Sequence, residues 1–154
     1  TRTLPVSISI ERPAGADNAA LIEERIAHSQ VNLPPQSIHS FSLSQLDKPD
    51  ITSWTARMGA DLTGRGALKR HSDGTGEIKS MFVRPAWREN GISRRLLTAI
   101  EDEAHRIGLK CLFLETGTDA LQLEAYENFS YVYCKLFGQY EPAPLSDFMT
   151  KAIG

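Results

Sequence analysis

Gly76-Glu77-Ile78-Lys79-Ser80-Met81-Phe82-Val83-Arg84-Pro85 runs on into Arg88-Glu89-Asn90-Gly91-Ile92-Ser93-Arg94-Arg95-Leu96-Leu97, and this stretch decides the fold. Its first half alternates as a strand does. Glu77, Lys79, Met81 and Val83 fall on one face, and Ile78, Ser80 and Phe82 on the other. Arg84-Pro85 stops the strand, because proline has no N–H to give to a ladder. A short polar turn follows, and a helix begins near Gly91. Ile92, Leu96, Leu97, Ile100, Ala104 and Ile107 form one apolar stripe at helical spacing. Gly108 is the expected C-cap. The product is a strand, an anion-sized loop and a helix N-terminus.

Free N–H groups and the positive end of the helix dipole point into such a loop, and together they suit phosphate. The dipole contributes about 0.3–1 kcal/mol at an exposed site. Arg88, Arg94 and Arg95 add formal charge. An ordinary β–α connection with a solvated basic turn fits the same residues.

Outward from this stretch, Val6 to Ile10 alternates as a first strand. Asp17 can cap a helix to about His28. Pro34-Pro35 forbids a helix and stiffens a loop that carries Ser37 and His39. A short helix is expected over Ser40 to Leu46. Ile51 to Arg57 and Leu62 to Arg70 read as strands around a turn at Gly59-Ala60-Asp61. Ser72 to Gly76 turns the chain into the deciding strand. Past Gly108, Cys111 to Leu114 is an apolar run that suits a strand in a parallel pair. Thr118-Asp119 can cap a helix through Tyr126 to about Asn128. Tyr131 to Lys135 reads as a strand. Ser146 to Ala152 is a last strand that returns across the loop from Gly138 to Leu145. The class is α+β: one mixed, mostly antiparallel sheet with helices on its faces.

The 154 residues suit a single domain with one sizeable core, expected over 1–154. Hydrophobic residues are 41% and charged residues 23%, ordinary globular values. A net charge of −2 argues against a nucleic-acid surface. No apolar run approaches the length of a membrane span, and no secretory signal is visible. Cys111 and Cys134 read as buried thiols of a reducing compartment, and so of a cytoplasmic protein, with no disulfide framework.

Arg88-x-x-Gly91-x-Ser93 resembles the Q/R-x-x-G-x-G/A loop of the GNAT superfamily of N-acetyltransferases. Pro34-Pro35-Gln36-Ser37-Ile38-His39, Gly66-Ala67-Leu68-Lys69, Gly76-Glu77-Ile78-Lys79-Ser80-Met81, Leu114-Glu115-Thr116-Gly117 and Phe148-Met149-Thr150-Lys151 occur in the right order beside it. Together they resemble a bacterial subgroup, the YsnE-like acetyltransferases, over nearly the whole chain from about Ser29. The resemblance implies the GNAT fold, acetyl-CoA as co-substrate, a small amine-bearing acceptor and no metal. It also implies direct transfer with no cysteine or serine intermediate. A homodimer is common in the superfamily.

The same resemblance places acetyl-CoA along the deciding strand. Backbone groups of Met81, Phe82 and Val83 then face the pantetheine arm, and those of Arg88, Glu89, Asn90, Gly91, Ile92, Ser93 and Arg94 hold the pyrophosphate. Glu89 and Ser93 depart from the usual glycine and Gly/Ala. Glu89 adds a carboxylate beside a pyrophosphate, which weakens binding unless it faces solvent. Ser93 is small and can donate to a phosphate.

An alkyl ammonium has a pKa of about 10.4, so some group must take its proton. Glu77 matches the superfamily's catalytic glutamate by position; an ion pair with Lys79 or Lys69 is the plainer reading. Glu115 is the second candidate, or a pocket wall that meets the acceptor's charge. Tyr126 matches the tyrosine that protonates the CoA thiolate; an aromatic packed under its helix is the alternative. The family's Tyr-x-x-x-Gly-Phe stands here with Ser130 for glycine and Tyr131 for Phe, so the turn after that helix is expected to be built differently. Ser37, His39, Lys79 and Thr116 are expected toward the acceptor, although helix capping and a surface histidine also explain the first two. A rival from another class is a catalytically weak acyl-CoA-binding sensor or regulatory module. Glu89 and Ser130 favour it, and Glu77 and Tyr126 favour the enzyme.

Overall fold

The computed structural model describes residues 6–12, 20–21, 48–88, 91–117, 126–133 and 146–154. In chain order they form β1 (Val6–Ile10), β2 (Ile51–Met58), β3 (Asp61–Arg70) and β4 (Thr75–Val83). A 3₁₀ turn over Pro85–Trp87 leads to the helix α1 (Ile92–Arg106). Then come β5 (Cys111–Gly117), β6 (Val132–Tyr133) and β7 (Ser146–Ala152). One sheet holds the strands in the order β1-β2-β3-β4-β5-β7-β6. Every pairing is antiparallel except β4 with β5. The class is therefore the expected mixed α+β sheet.

Short-range chemistry sets the first turns. Met58 pairs with Asp61 across a two-residue turn, and Gly59 takes φ +62 there. Between β3 and β4, the Asp73 carboxylate accepts from the Thr75 N–H at 3.1 Å and the Thr75 hydroxyl at 2.6 Å. Those bonds hold the Asp73 carboxyl below its ordinary range. β4 and β5 are parallel, so a hairpin cannot join them; α1 supplies the crossover. The helix ends as read. The Gly108 N–H donates to His105 O at 3.1 Å, and the Leu109 N–H to Ala104 O at 2.9 Å. With Gly108 at φ +79, this is a Schellman closure.

The apolar stripe of α1 lies on one sheet face. Ile92, Leu96, Leu97, Ile100 and Ala104 share a buried core with Trp54, Ala56, Leu68, Ile78, Met81, Val83, Leu112 and Leu114. Each of the Leu, Ile, Val and Met side chains contributes about 1.5–3 kcal/mol on burial. On the opposite face Leu21, in a helical stretch, packs with Leu62 and Phe82. Helical residues thus lie against both faces.

One expectation fails inside β4. Simple alternation puts Glu77 and Lys79 on the same face as Met81 and Val83. The structure puts them on opposite faces, because Met81 and Val83 join Ile78 under α1. The cause is a β-bulge. Arg65 pairs with Phe82 and Ala67 with Lys79, so Ser80 and Met81 together oppose Gly66 alone. Ser80 takes φ +55 to make the extra step. Gly66 fits because it has no side chain: a Cβ there would run into Met81 Sδ and crowd Ile100.

A second expectation fails after Tyr126. The turn is not built differently from a glycine-bearing one. Ser130 takes φ +71, the conformation glycine favours. The Tyr131 N–H reaches Tyr126 O at 3.0 Å and the Ser130 N–H reaches Glu127 O at 2.9 Å. This repeats the closure at Gly108 with serine in the left-handed place.

The expected helices over 17–28 and 119–128 are described at residues 20–21 and 126–128, where both are helical. The loop with Pro34-Pro35, Ser37 and His39, the helix over 40–46, and Glu89 and Asn90 lie outside the described residues.

Candidate active site

The parallel ladder between β4 and β5 is short. It runs from Thr75 opposite Cys111 to Ile78 opposite Leu114 and stops. β4 continues to Val83 and β5 to Gly117. The two strands part at their carboxyl ends, where α/β sheets bind ligands. The Ser80 bulge lies on one lip of this cleft. The Ser80 hydroxyl is buried with no hydrogen-bond partner among the described residues.

Glu77 lies just before the cleft, on the face away from α1. It is 3% exposed. Its Oε2 lies 3.3 Å from Lys79 Nζ, and its Oε1 lies 3.1 Å from His71 Nε2. The expected pairing with Lys79 is therefore present. Lys69 stands directly opposite Glu77 on β3. Glu115 follows Leu114 on β5. Leu112 and Leu114 are buried under α1, so Phe113 and Glu115 point to the Glu77 face. Both candidate bases share that face. Thr116 stands near the end of β5, opposite Asp147 of β7.

Tyr126 is on the other side. It is buried in the α1 core, with its ring edge-on to Tyr131 at 5.8 Å. Tyr131 donates its O–H to Glu101 of α1 at 2.8 Å. Burial first, and then the Glu101 charge, pushes the Tyr131 phenol far above its ordinary value. Lys151 of β7 completes this group, 2.9 Å from Glu101.

The loop before α1 is anchored at both ends. The Arg84 N–H donates to Thr63 O at 2.8 Å, and the Arg84 guanidinium to Leu62 O at 2.7 Å. Arg88 turns back: its Nε donates to Val83 O at 3.1 Å, and its guanidinium carbon lies 5.8 Å from the centre of the Phe82 ring. The Arg88 N–H reaches Pro85 O at 3.4 Å. Helix geometry leaves the N–H groups of Ile92, Ser93 and Arg94 without intrahelical partners. The Arg95 N–H already donates to Gly91 O. Gly91 caps the helix at φ +75, and a Cβ there would meet nothing within 4 Å among the described residues.

Sequence reading missed three residues. His71 is a diagonal cross-strand neighbour of Glu77 in the β3–β4 hairpin. The hairpin was legible, and carrying its register past Lys69 and Glu77 would have found the contact. Arg65 is fully buried on the Glu77 face. Its Nε donates to Ser80 O at 3.4 Å and its Nη2 to Ser53 Oγ at 3.3 Å. It thus ties the bulged residue to β3 and β2. Ser80 itself has no sequence signal beyond lying opposite Gly66.

Cys111 is a free thiol at the start of β5, at the opposite end of the strand from the cleft. Burial raises its pKa, which suppresses the thiolate a nucleophile needs. Among the described residues no cluster of three His, Cys, Asp or Glu side chains can hold a metal ion. Among them, too, no helix is long and apolar enough to cross a membrane.

The model of the acetyltransferase (GNAT) family matches residues 19–129. An uncharacterized N-acetyltransferase, YsnE of Bacillus subtilis, is 38% identical over 149 residues, covering 95% of this chain and 99% of its own. An IAA acetyltransferase of Azospirillum brasilense is 40% identical over 150 residues, covering 96% and 98%. Among solved structures, a provisionally assigned acyl-CoA N-acyltransferase of Klebsiella pneumoniae superposes with a TM-score of 0.82. It is 28% identical and covers 97% of this chain and 98% of its own. The chain belongs to the acetyltransferase (GNAT) family, as a YsnE-like N-acetyltransferase.

Proposed function

We propose that this enzyme moves the acetyl group of acetyl-CoA directly onto the amine of a small-molecule or peptide acceptor. The observation that carries the proposal is the parting of β4 from β5, with Glu77 on one face beside it and Tyr126 in the core of the other. Bound acetyl-CoA supplies the activated thioester. The N–H groups of Ile92, Ser93 and Arg94, above the open left-handed Gly91, hold its pyrophosphate. Backbone groups of Met81, Phe82 and Val83 pair with the pantetheine arm.

Glu77 takes a proton from the acceptor's ammonium, and Tyr126 gives one to the departing sulfur. Glu115 is the alternative base. Lys79 and Thr116, with Ser37 and His39, are assigned toward the acceptor. The raised pKa of Tyr131 and its bond to Glu101 make it a poor substitute for Tyr126.

A panel of alkylamines, arylalkylamines, amino acids, short peptides and IAA, read by free CoA thiol, tests the reaction. With the fastest amine, Glu77→Gln should flatten the rise of kcat/KM on the basic side. Tyr126→Phe should lower kcat by roughly 10²–10⁴ while acetyl-CoA binds nearly as before. An unchanged pH profile in Glu77→Gln moves the base to Glu115. Tight acetyl-CoA binding with no thiol release across the panel turns the reading to an acyl-CoA-binding module. That rival loses one of its supports at Ser130, which keeps the glycine-type turn.

A further inference from the structure

We infer that His71 is a proton relay, the exit by which Glu77 discharges to solvent in each turnover. This rests on the proposed role of Glu77 as base. The need follows from the proton balance. An ammonium acceptor loses two protons when its nitrogen forms the C–N bond and the C–S bond breaks. One proton ends on the CoA thiol. The other must leave the protein every cycle. If Glu77 takes it, Glu77 must return it to water, yet Glu77 is 3% exposed.

Of the two side chains described against the carboxylate, one can accept a proton. Lys79 Nζ, 3.3 Å from Oε2, is an ammonium and has no lone pair to accept a proton. His71 Nε2, 3.1 Å from Oε1, belongs to a ring that can. The His71 side chain is 32% exposed, against 4% for Glu77. It therefore spans from the buried carboxylate to water. The hairpin fixes it there: the His71 N–H donates to Thr75 O at 2.9 Å and the Gly74 N–H to His71 O at 3.3 Å. Asp73, in the same turn, interacts with His71 through its charge.

The steps balance. The ammonium gives a proton to the Glu77 carboxylate. The carboxylic acid passes it to His71. The imidazolium releases one proton to water, and neutral imidazole and carboxylate are restored. Lys69, opposite Glu77 on β3, and Lys79, 3.3 Å from its Oε2, are charged groups at the same point of the sheet.

The test uses His71→Ala, which removes the relay, and His71→Gln, which keeps a donor to Glu77 but cannot carry a proton. With the fastest amine of the panel, both variants should lose at least tenfold in kcat at low buffer concentration, with little change in KM for acetyl-CoA. Imidazole buffer should restore His71→Ala in proportion to its concentration, and should do nothing for Glu77→Gln. A purely structural role of His71 predicts recovery in His71→Gln and no response to imidazole; that outcome overturns the relay. A second readout needs no turnover. In the folded protein, the nitrogen resonance of His71 Nε2 should move between the wild type and Glu77→Gln, and an unmoved resonance overturns the contact. Failure of the base assignment looks different: Glu77→Gln then keeps its turnover and pH profile whatever His71 does.

Discussion

Ser130 and Ser80 stand where L side chains rarely do, at φ +71 and +55. Left-handed backbone costs a non-glycine residue about 1–2 kcal/mol. At Ser130 nothing but the turn requires it. Ser130→Gly removes the strain and loses about 0.4–1 kcal/mol to the freer unfolded chain. The net gain should be about 0.5–1 kcal/mol, seen as a melting temperature a few degrees higher. Ser130→Ala keeps the strain and should melt like the wild type. A lower melting temperature for Ser130→Gly would overturn this account of the turn. Ser80 differs, since its strain sits on the lip of the cleft and its own buried hydroxyl has no described partner. Neither serine announces itself in the sequence. Ser130 was legible only against a family pattern, and that pattern suggested a rebuilt turn. The bulge at Ser80 depends on two strands at once, on Gly66 of β3 as much as on Ser80. Alternation within one strand cannot report it, and so Met81 and Val83 were assigned to the face of Glu77.

At the scale of elements, α1 was the most legible part of the fold. Its stripe and its Gly108 closure are local, so periodicity and one glycine suffice. The bounds of β7 were equally clear. The link between α1 and the last strands was not. Tyr131, Glu101 and Lys151 come together from positions far apart in the chain. Their bonds join the turn after Tyr126, the helix and β7 into one unit. The Tyr131 phenol is held protonated by the fold. Its contribution is therefore complete below the unfolded value of 10.0 and is lost as pH rises above it. Tyr131→Phe should cost about 1.5–3 kcal/mol near neutral pH, the usual value of a hydrogen bond to a charged group. The gap to the wild type should shrink in denaturant melts above pH 10. A gap that stays constant into strong alkali would mean that the phenol is not held by Glu101 in solution.

For the whole molecule, the sheet order and the single parallel pair matter most. The class of sheet could be read from the pattern of elements. Its order could not, because nothing local tells β7 to enter between β5 and β6. The cleft follows from that order and from a ladder that ends at Ile78 and Leu114. Under the proposed function both substrates are bound before chemistry. Initial rates at several fixed acetyl-CoA concentrations should then give intersecting reciprocal lines. Parallel lines would require an acylated enzyme and would overturn direct transfer. The parted strands also have a consequence for how such a protein can change. Under the proposed function, a ladder that ends short of both strands gives the donor and the acceptor separate approaches, one toward α1 and one toward the Glu77 face. Under the proposed function, residues on the Glu77 face can be exchanged to admit a new acceptor while the helix start at Gly91, the proposed donor site, stays as it is. The lineage is free to try new customers without changing its supplier.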